Sequence, residues 1–209
     1  MKENPVPASR SKFSQLVVAS HNRGKITEIE DLLRPLGIKV QNAAALCLPD
    51  VEETGSSFED NAILKAVDVA KRSGLPALGD DSGLMVDALD GAPGIHTARW
   101  AQRNGAARNW DYAMGQVAAK LQDIGAQNWS AQFVCVLALA QPDGQVVLTR
   151  GEVAGKLIWP VRGQQGFGFD PMFVPDGHEL TFAQMPAAQK HAISHRHHAF
   201  AAMLRQHLS

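Results

Sequence analysis

Four stretches of this chain concentrate side chains able to meet phosphate, a hard cation or an aromatic base. The first is Ser20-His21-Asn22-Arg23-Gly24-Lys25. It follows an apolar run at 16–19 and precedes a helical pattern. Its backbone amides therefore lie at a helix N-terminus, where they are unpaired and partially positive, a good seat for phosphate. Asn22 and Lys25 add donors for the same anion. The spacing is not GxxxxGK[ST], so this is no P-loop, and a plain capped turn fits the same residues.

The second group is acidic. Glu52-Glu53 precedes Thr54-Gly55, and Asp80-Asp81 precedes Ser82-Gly83. Mg²⁺ takes hard oxygen ligands and usually one or two carboxylates, leaving positions for phosphate and water. Aspartate is disfavoured in strands, so an apolar strand ending in two carboxylates marks a site or an Asx-turn. Adjacent strand residues point to opposite faces, so one aspartate faces the site and the other serves structure. The third group is Lys190-His191-Ala192-Ile193-Ser194-His195-Arg196-His197-His198. Ser194 is a good N-cap, which puts His195 and Arg196 in a first helical turn, where cations oppose the helix dipole. A bound anion would reverse that penalty; a solvated polar face is the plainer account. Zinc on His191 and His195 lacks an HExxH pattern or a partner cysteine. The fourth is Gly163-Gln164-Gln165-Gly166-Phe167-Gly168-Phe169-Asp170-Pro171. Its glycines let backbone approach a ligand, Phe167 or Phe169 could stack on a base, and Asp170 could orient a cation or sugar. An ordinary turn with core aromatics has the same composition.

These residues need a scaffold. Helical periodicity is expected over 25–34 and 57–73, the latter opened by Ser56 with Glu59 as a capping box and carrying Ala62, Ile63, Ala66, Val67 and Ala70 inward. Asn61, Lys65 and Asp68 share another face of it. Two short strands, 77–80 and 84–88, are expected around a turn at Asp81-Ser82-Gly83. A helix follows at 109–124. Strands at 129–140 and 146–153 flank Pro142-Asp143-Gly144, a hairpin signal. A last helix spans 194–207. Helices alternating with strands, then a hairpin, indicate an α/β fold with a mixed sheet.

The 209 residues suit one domain over 15–209 behind a polar leader at 1–14. Hydrophobic residues are 45% and charged residues 20%, ordinary for a globular chain. The formal net charge of -1 advertises neither a nucleic-acid-binding stripe nor a membrane-binding surface, so any anion site is local. The longest apolar run, 133–140, is too short to span a bilayer, and the N-terminus has no signal-peptide core. Cys47 and Cys135 are expected as reduced thiols, and the cytoplasm as the compartment.

Taken together in chain order, SHNRGK, EETGSSFEDNAILKA, GDDSGLMVDALDGAPGIHTARW, GFGFDPMF and KHAISHR resemble the dITP/XTP (inosine triphosphate) pyrophosphatases from Leu16 onward. The resemblance implies an elongated mixed sheet flanked by helices, two lobes with a cleft between them, and a homodimer. It implies Mg²⁺-dependent attack of water at the α-phosphorus of non-standard purine nucleoside triphosphates (ITP, dITP, XTP), giving the monophosphate and pyrophosphate. By motif position, Ser20, His21, Asn22, Arg23, Gly24 and Lys25 would bind triphosphate. Glu52 and Asp81 would hold Mg²⁺, with Asp81 also the base. Ser82 and Lys65 would meet the nucleotide, Phe167, Gly168, Phe169 and Asp170 would wall the base, and Lys190, His195 and Arg196 would complete the pocket. This chain has Phe169 where Tyr or Trp is frequent, His96 where Tyr is common, and Ala188-Gln189 in place of an acidic pair. A related pyrophosphatase for other modified nucleotides shares the chemistry. A non-catalytic nucleotide-binding protein should lack the full acid set.

Overall fold

The computed structural model describes residues 12–102 and 107–208. The first eleven residues of the expected leader lie outside the described residues. Six strands form one mixed sheet: β1 (Gln15–Ala19), β2 (Lys39–Asn42), β3 (Ala77–Val86), β4 (Ser130–Ala140), β5 (Val146–Leu157) and β6 (Phe173–Pro175), in the order β2-β1-β3-β4-β5-β6. The β2-β1-β3 part is parallel and the β3-β4-β5-β6 part antiparallel.

Three helices cover the two faces of the sheet. α1 (Arg23–Leu33) and α6 (His195–Met203, continued by a wider turn, Leu204–Leu208) cover one face, where Leu16, Val18, Ile29, Leu33, Leu137 and Met203 form a core. α2 (Phe58–Ser73) covers the other, with Val17, Ala62, Ala66, Val69, Val134 and Val136. Two helices follow β3 and the loop after it, the short α3 (Thr97–Trp100) and the longer α4 (Trp110–Asp123). α4 packs on the far end of β3 and β4 in a third core, with Leu84, Met114, Leu121, Phe133, Phe173 and Phe182. The short α5 (Ala187–Ile193) leads into α6. β4 thus belongs to one lobe up to Phe133 and to the other from Val134, and the two lobes meet across its middle. No helix among the described residues is long and apolar enough to cross a membrane.

Most expected elements form, with three corrections. The expected turn at Asp81-Ser82-Gly83 does not exist: β3 runs ten residues without interruption, pairing Ala77↔Ala140 through Val86↔Ala131. Gly83 serves close approach, not turning, since a Cβ there would lie 2.5 Å from the Thr97 hydroxyl oxygen and collide with the Gly94 carbonyl. The cap of α2 is one residue later than expected. Ser57 accepts the Asp60 amide at 3.0 Å, and the Asp60 carboxylate accepts the Ser56 amide at 3.2 Å. α1 begins at Arg23, two residues before the expected start, because Asn22 caps it, accepting the Gly24 and Lys25 amides.

Candidate active site

β1 is followed by α1 on one face of the sheet, and β2 by α2 on the other. The chain therefore diverges at the C-terminal end of β1, a topological switch point of the kind where open α/β sheets bind ligands. A cavity of about 310 Å³ opens there. Its floor is the middle of β3.

Asp80 and Asp81, neighbours on that strand, point to opposite faces as the pleat requires. Asp80 faces α1 and α6. Its carboxylate takes Lys25 Nζ at 2.7 Å and Arg196 Nε at 2.7 Å, accepts the Ser82 hydroxyl at 2.9 Å, and lies 3.4 Å from Cys135 Sγ. Burial opposes its charge, yet Arg196 and Lys25 hold the carboxyl well below its usual range. Asp81 faces α2. It takes Lys65 Nζ at 2.8 Å and Asn61 Nδ2 at 3.4 Å. Here burial wins over Lys65 and Lys25, and the carboxyl titrates above its ordinary range. Asn61 and Lys65 are one helical turn apart on α2 and both are buried. Asp68, expected on the same face, instead pairs with Arg72 at 2.7 Å toward the outside.

The acidic loop before α2 brings Glu53 to the cleft, with its carboxylate 2.8 Å from Lys65 Nζ. Burial opposes its charge and Lys65 lowers its pKa. Glu52, the expected metal ligand, is exposed and is not part of the cavity wall. The alternation of an extended loop puts one of two adjacent acids inward, and the inward one is Glu53. Lys65 is therefore one cation shared by two carboxylates.

In the β1–α1 loop, Ser20, His21, Asn22 and Lys25 line the cavity, while Arg23 and Gly24 do not. Asn22 occupies two of the amides that the sequence offered to phosphate, so Lys25 is the loop's charged contribution. His21 leans on the neighbouring loop, 3.0 Å from the Leu48 carbonyl. Gly24 abuts Phe167: a Cβ would sit 2.7 Å from its ring.

The other wall comes from the Gly-rich loop and α5–α6. Phe167 is half-buried with Lys190 Nζ 4.9 Å above its ring. Phe169, one of two expected stacking partners, is 1% exposed and meets Trp110 edge-on at 5.8 Å, so it packs into the core with only an edge on the cavity. Gly168 is buried behind the wall. Asp170 holds the loop closed, accepting the Phe167 amide at 2.8 Å and Lys190 at 2.6 Å.

Ser194 caps α6 as expected, accepting the His197 amide at 3.1 Å. His195 corrects the expectation of a cation in the first turn. Burial, then Arg196, push its pKa well below the usual value, so it is neutral at physiological pH. Its ring stacks on Phe133 at 4.9 Å, and Nδ1 is buried without a hydrogen-bond partner among the described residues. Arg196 is a cation, but all three guanidinium nitrogens are engaged, by Asp80, Glu28 and Ser82. Gly151 on β5 makes this reach feasible. A Cβ there would collide with the Ala199 amide and His195 carbonyl, so only glycine lets α6 lie flat on the sheet.

Among the residues the sequence does not single out, Trp110 and Phe133 line the cavity and Glu28 stands behind its wall. Glu28 is buried on α1 and bonds both Lys190, at 2.9 Å, and Arg196. Burial opposes its charge, but Arg196 and Lys190 lower its pKa to about 2.

No cluster of three or more His, Cys, Asp or Glu side chains suited to a metal exists among the described residues. The pair Glu53 and Asp81 still fits a hard divalent cation, since two carboxylates already converge on one positive charge and Mg²⁺ completes its shell with phosphate and water.

The Ham1 family model matches residues 16–206. The chain is 51% identical over 197 residues to the dITP/XTP pyrophosphatase of Brucella melitensis, covering 89% of this chain and 90% of that one. It is 52% identical over 196 residues to the enzyme of the same name from Agrobacterium fabrum, covering 88% and 92%. Among solved structures, a HAM1 protein from Coxiella burnetii superposes with a TM-score of 0.82 at 39% identity, covering 90% of this chain and 95% of that one. The Ham1 protein of Staphylococcus aureus does so with a TM-score of 0.79 at 36% identity, covering 91% and 96%. With its mixed sheet, its cleft at the switch point and its matched length, this chain belongs to the Ham1 family.

Proposed function

We propose that the chain is a nucleoside triphosphate pyrophosphatase acting on non-standard purine triphosphates, with residues 15–209 as one catalytic unit working as a homodimer in the cytoplasm. The observation that carries it is Asp81: a buried carboxylate on the cleft floor, flanked by Lys65 and Glu53 on one side and by a base-sized aromatic wall on the other. Relatives at about half identity bearing the dITP/XTP pyrophosphatase name support the substrate class.

Glu53 and Asp81 would hold Mg²⁺, which when bound supplies Lewis-acid stabilisation of phosphate charge. Lys25 and Lys65 meet the triphosphate as point charges. Asp81, its pKa raised by burial, takes the proton of the attacking water. The water oxygen bonds to the α-phosphorus, the bond to the bridging oxygen breaks, and pyrophosphate leaves. Asp80 does not share this task, because Lys25 and Arg196 keep it ionised and engaged. Phe167 would face the base, and His195, whose neutral ring lines the cavity, would present a hydrogen to a purine 6-oxo group. This moves the base-reading donor from Arg196, whose three guanidinium nitrogens already serve Asp80, Glu28 and Ser82, to its neighbour.

Hydrolysis of ITP in ¹⁸O-water tests the reaction. Label in inosine monophosphate and none in pyrophosphate is expected for attack at the α-phosphorus. Label in pyrophosphate, or release of orthophosphate, would exclude it.

A further inference from the structure

The Gly91–Trp100 stretch lines one end of the cleft without a role in the chemistry above. Its position between two elements of the site gives it one. Thr97 is buried, and its hydroxyl works in both directions: it accepts the Leu84 amide of β3 at 2.9 Å and donates to the Gly94 carbonyl at 2.6 Å. Leu84 lies three residues beyond Asp81 on the same strand. The close seating depends on Gly83, as no side chain fits between β3 and Thr97. Two residues further, Arg99 extends from the same short helix to the acidic loop, where its Nη2 donates to the Glu53 carbonyl at 2.8 Å. One short element thus touches β3 near Asp81 and the main chain of Glu53.

The choice of acceptor matters. Arg99 bonds the Glu53 backbone and leaves the Glu53 carboxylate directed at Lys65. It holds the loop in place without taking the loop's negative charge. The next residues of the loop are tied separately, through the Gly55 amide to Asn61 Oδ1 at 2.8 Å. Asn61 also donates to Asp81. The loop is therefore referenced to Asp81 from both sides, by Asn61 from α2 and by Arg99 from α3.

We propose that Thr97 and Arg99 form a clamp that sets the separation of Glu53 and Asp81, which makes Arg99 a positioning residue for the divalent cation those carboxylates hold. This rests on the reading of Glu53 and Asp81 as the metal pair. Arg99 is exposed and makes this bond at the surface, so its loss should leave the fold intact while loosening the loop.

The test uses the full chain, with Mn²⁺ as probe, its binding followed by electron paramagnetic resonance in the presence of non-cleavable α,β-methylene inosine triphosphate. Arg99→Ala should weaken Mn²⁺ binding about 10-fold, the lower end of what outer partners of metal ligands contribute. Thr97→Val should act in the same direction, and Arg99→Lys should recover part of the loss. On a Glu53→Gln background, Arg99→Ala should add less than about 2-fold, because residues acting through one ligand are not additive. Mn²⁺ affinity of Arg99→Ala equal to wild type, with Glu53→Gln impaired, overturns the clamp alone. Effects of Arg99→Ala and Glu53→Gln that multiply also overturn it. Wild-type affinity in Glu53→Gln overturns the metal pair, and the clamp with it.

Discussion

Asp80 and Asp81 are chemically identical neighbours, yet their surroundings assign them opposite duties, and exchanging each for asparagine should separate stability from turnover. Asp80 is 1% exposed and pairs with two cations at 2.7 Å each. Removing one partner of a buried ion pair leaves an uncompensated charge and costs ~3–5 kcal/mol. For a domain of this size ~2–4 °C is lost per kcal/mol, so Asp80→Asn should melt roughly 6–20 °C below wild type. Asp81 differs because burial has already raised its pKa. At neutral pH the fold disfavours its ionised form, so an isosteric amide should leave the melting temperature close to wild type. The same change removes the proposed base and should lower kcat by ~10²–10⁴-fold or more. The signs with pH are opposite too. Asp80 has a depressed folded pKa, so its stabilisation is present above the ordinary carboxylate range and is lost as pH falls through and below it. Asp81 has a raised one, so protonation favours the fold and its contribution is lost as pH rises. The melting gap between wild type and Asp80→Asn should therefore narrow in acid. Scanning calorimetry across pH and pyrophosphate release, on both variants, measure all of this. An active, unstable Asp81→Asn beside an inactive, stable Asp80→Asn would reverse the assignment.

Glu28 supplies a second pH test: its pKa falls from 4.5 to about 2. A depressed carboxylate stabilises fully above the unfolded value and loses that as pH drops toward the folded one. The gap corresponds to on the order of 3 kcal/mol. Glu28→Gln should flatten the loss of stability between those two values; parallel curves would show that Glu28 does not carry it. Base selectivity is expected from the proposed His195 donor: adenine presents an amino group where hypoxanthine and xanthine present oxygen, and two opposed donors left unpaired cost ~1–3 kcal/mol each. ITP and XTP should exceed ATP in kcat/KM by on the order of 10²–10⁴, and His195→Phe should collapse that ratio. Equal efficiency on ATP and ITP in the wild-type protein would refute the pocket while leaving the reaction untouched.

The sequence made the local elements readable and the pairings only partly so. Helical stripes such as Ala62, Ala66 and Ala70 announce α2 because burial alone sets their spacing. The hairpin of β4 and β5 announces itself through Pro142-Asp143-Gly144. β3 reads as two strands around a turn because two aspartates and a glycine are turn residues by propensity. Here Lys25, Arg196 and Lys65, all from distant segments, make the acids tolerable in a strand, and no local pattern contains those partners. Glu28 left a signal that could have been used. It stands one turn after Lys25 and one before the apolar Leu32, on the buried side of α1, and a charge on such a stripe calls for a partner. Phe133 left none, since an aromatic in an apolar run reads as core, and Trp110, between Asn109 and Asp111, reads only as a helix start. The choice of Glu53 over Glu52 depends on how the loop is tethered to Asn61 and Arg99, which spacing does not encode.

The charge balance of the buried cluster explains why this cleft is not a simple anion trap. Its four cations are Lys25, Lys65, Lys190 and Arg196, and each already has a carboxylate within 2.9 Å. Five carboxylates face them: Glu28, Glu53, Asp80, Asp81 and Asp170. The cluster is thus negative by one charge before any ligand arrives, and a triphosphate adds several more. Like charges in a cluster this buried repel strongly, so positive charge arriving with phosphate would offset them. The shortage is local to the α2 side, where Lys65 alone serves both Glu53 and Asp81. On the α6 side Arg196 and Lys190 divide Glu28, Asp80 and Asp170 between them and leave no cation to spare. A divalent cation brought in between Glu53 and Asp81 corrects the deficit where it exists and frees Lys65 to meet phosphate. Burial raises the pKa of Asp81 against the pull of Lys65 and Lys25, and the neighbouring Glu53 adds a smaller push in the same direction. The burial of this pair therefore serves both proposals, leaving Glu53 and Asp81 converged where a cation would bind and raising Asp81 toward the range of a base.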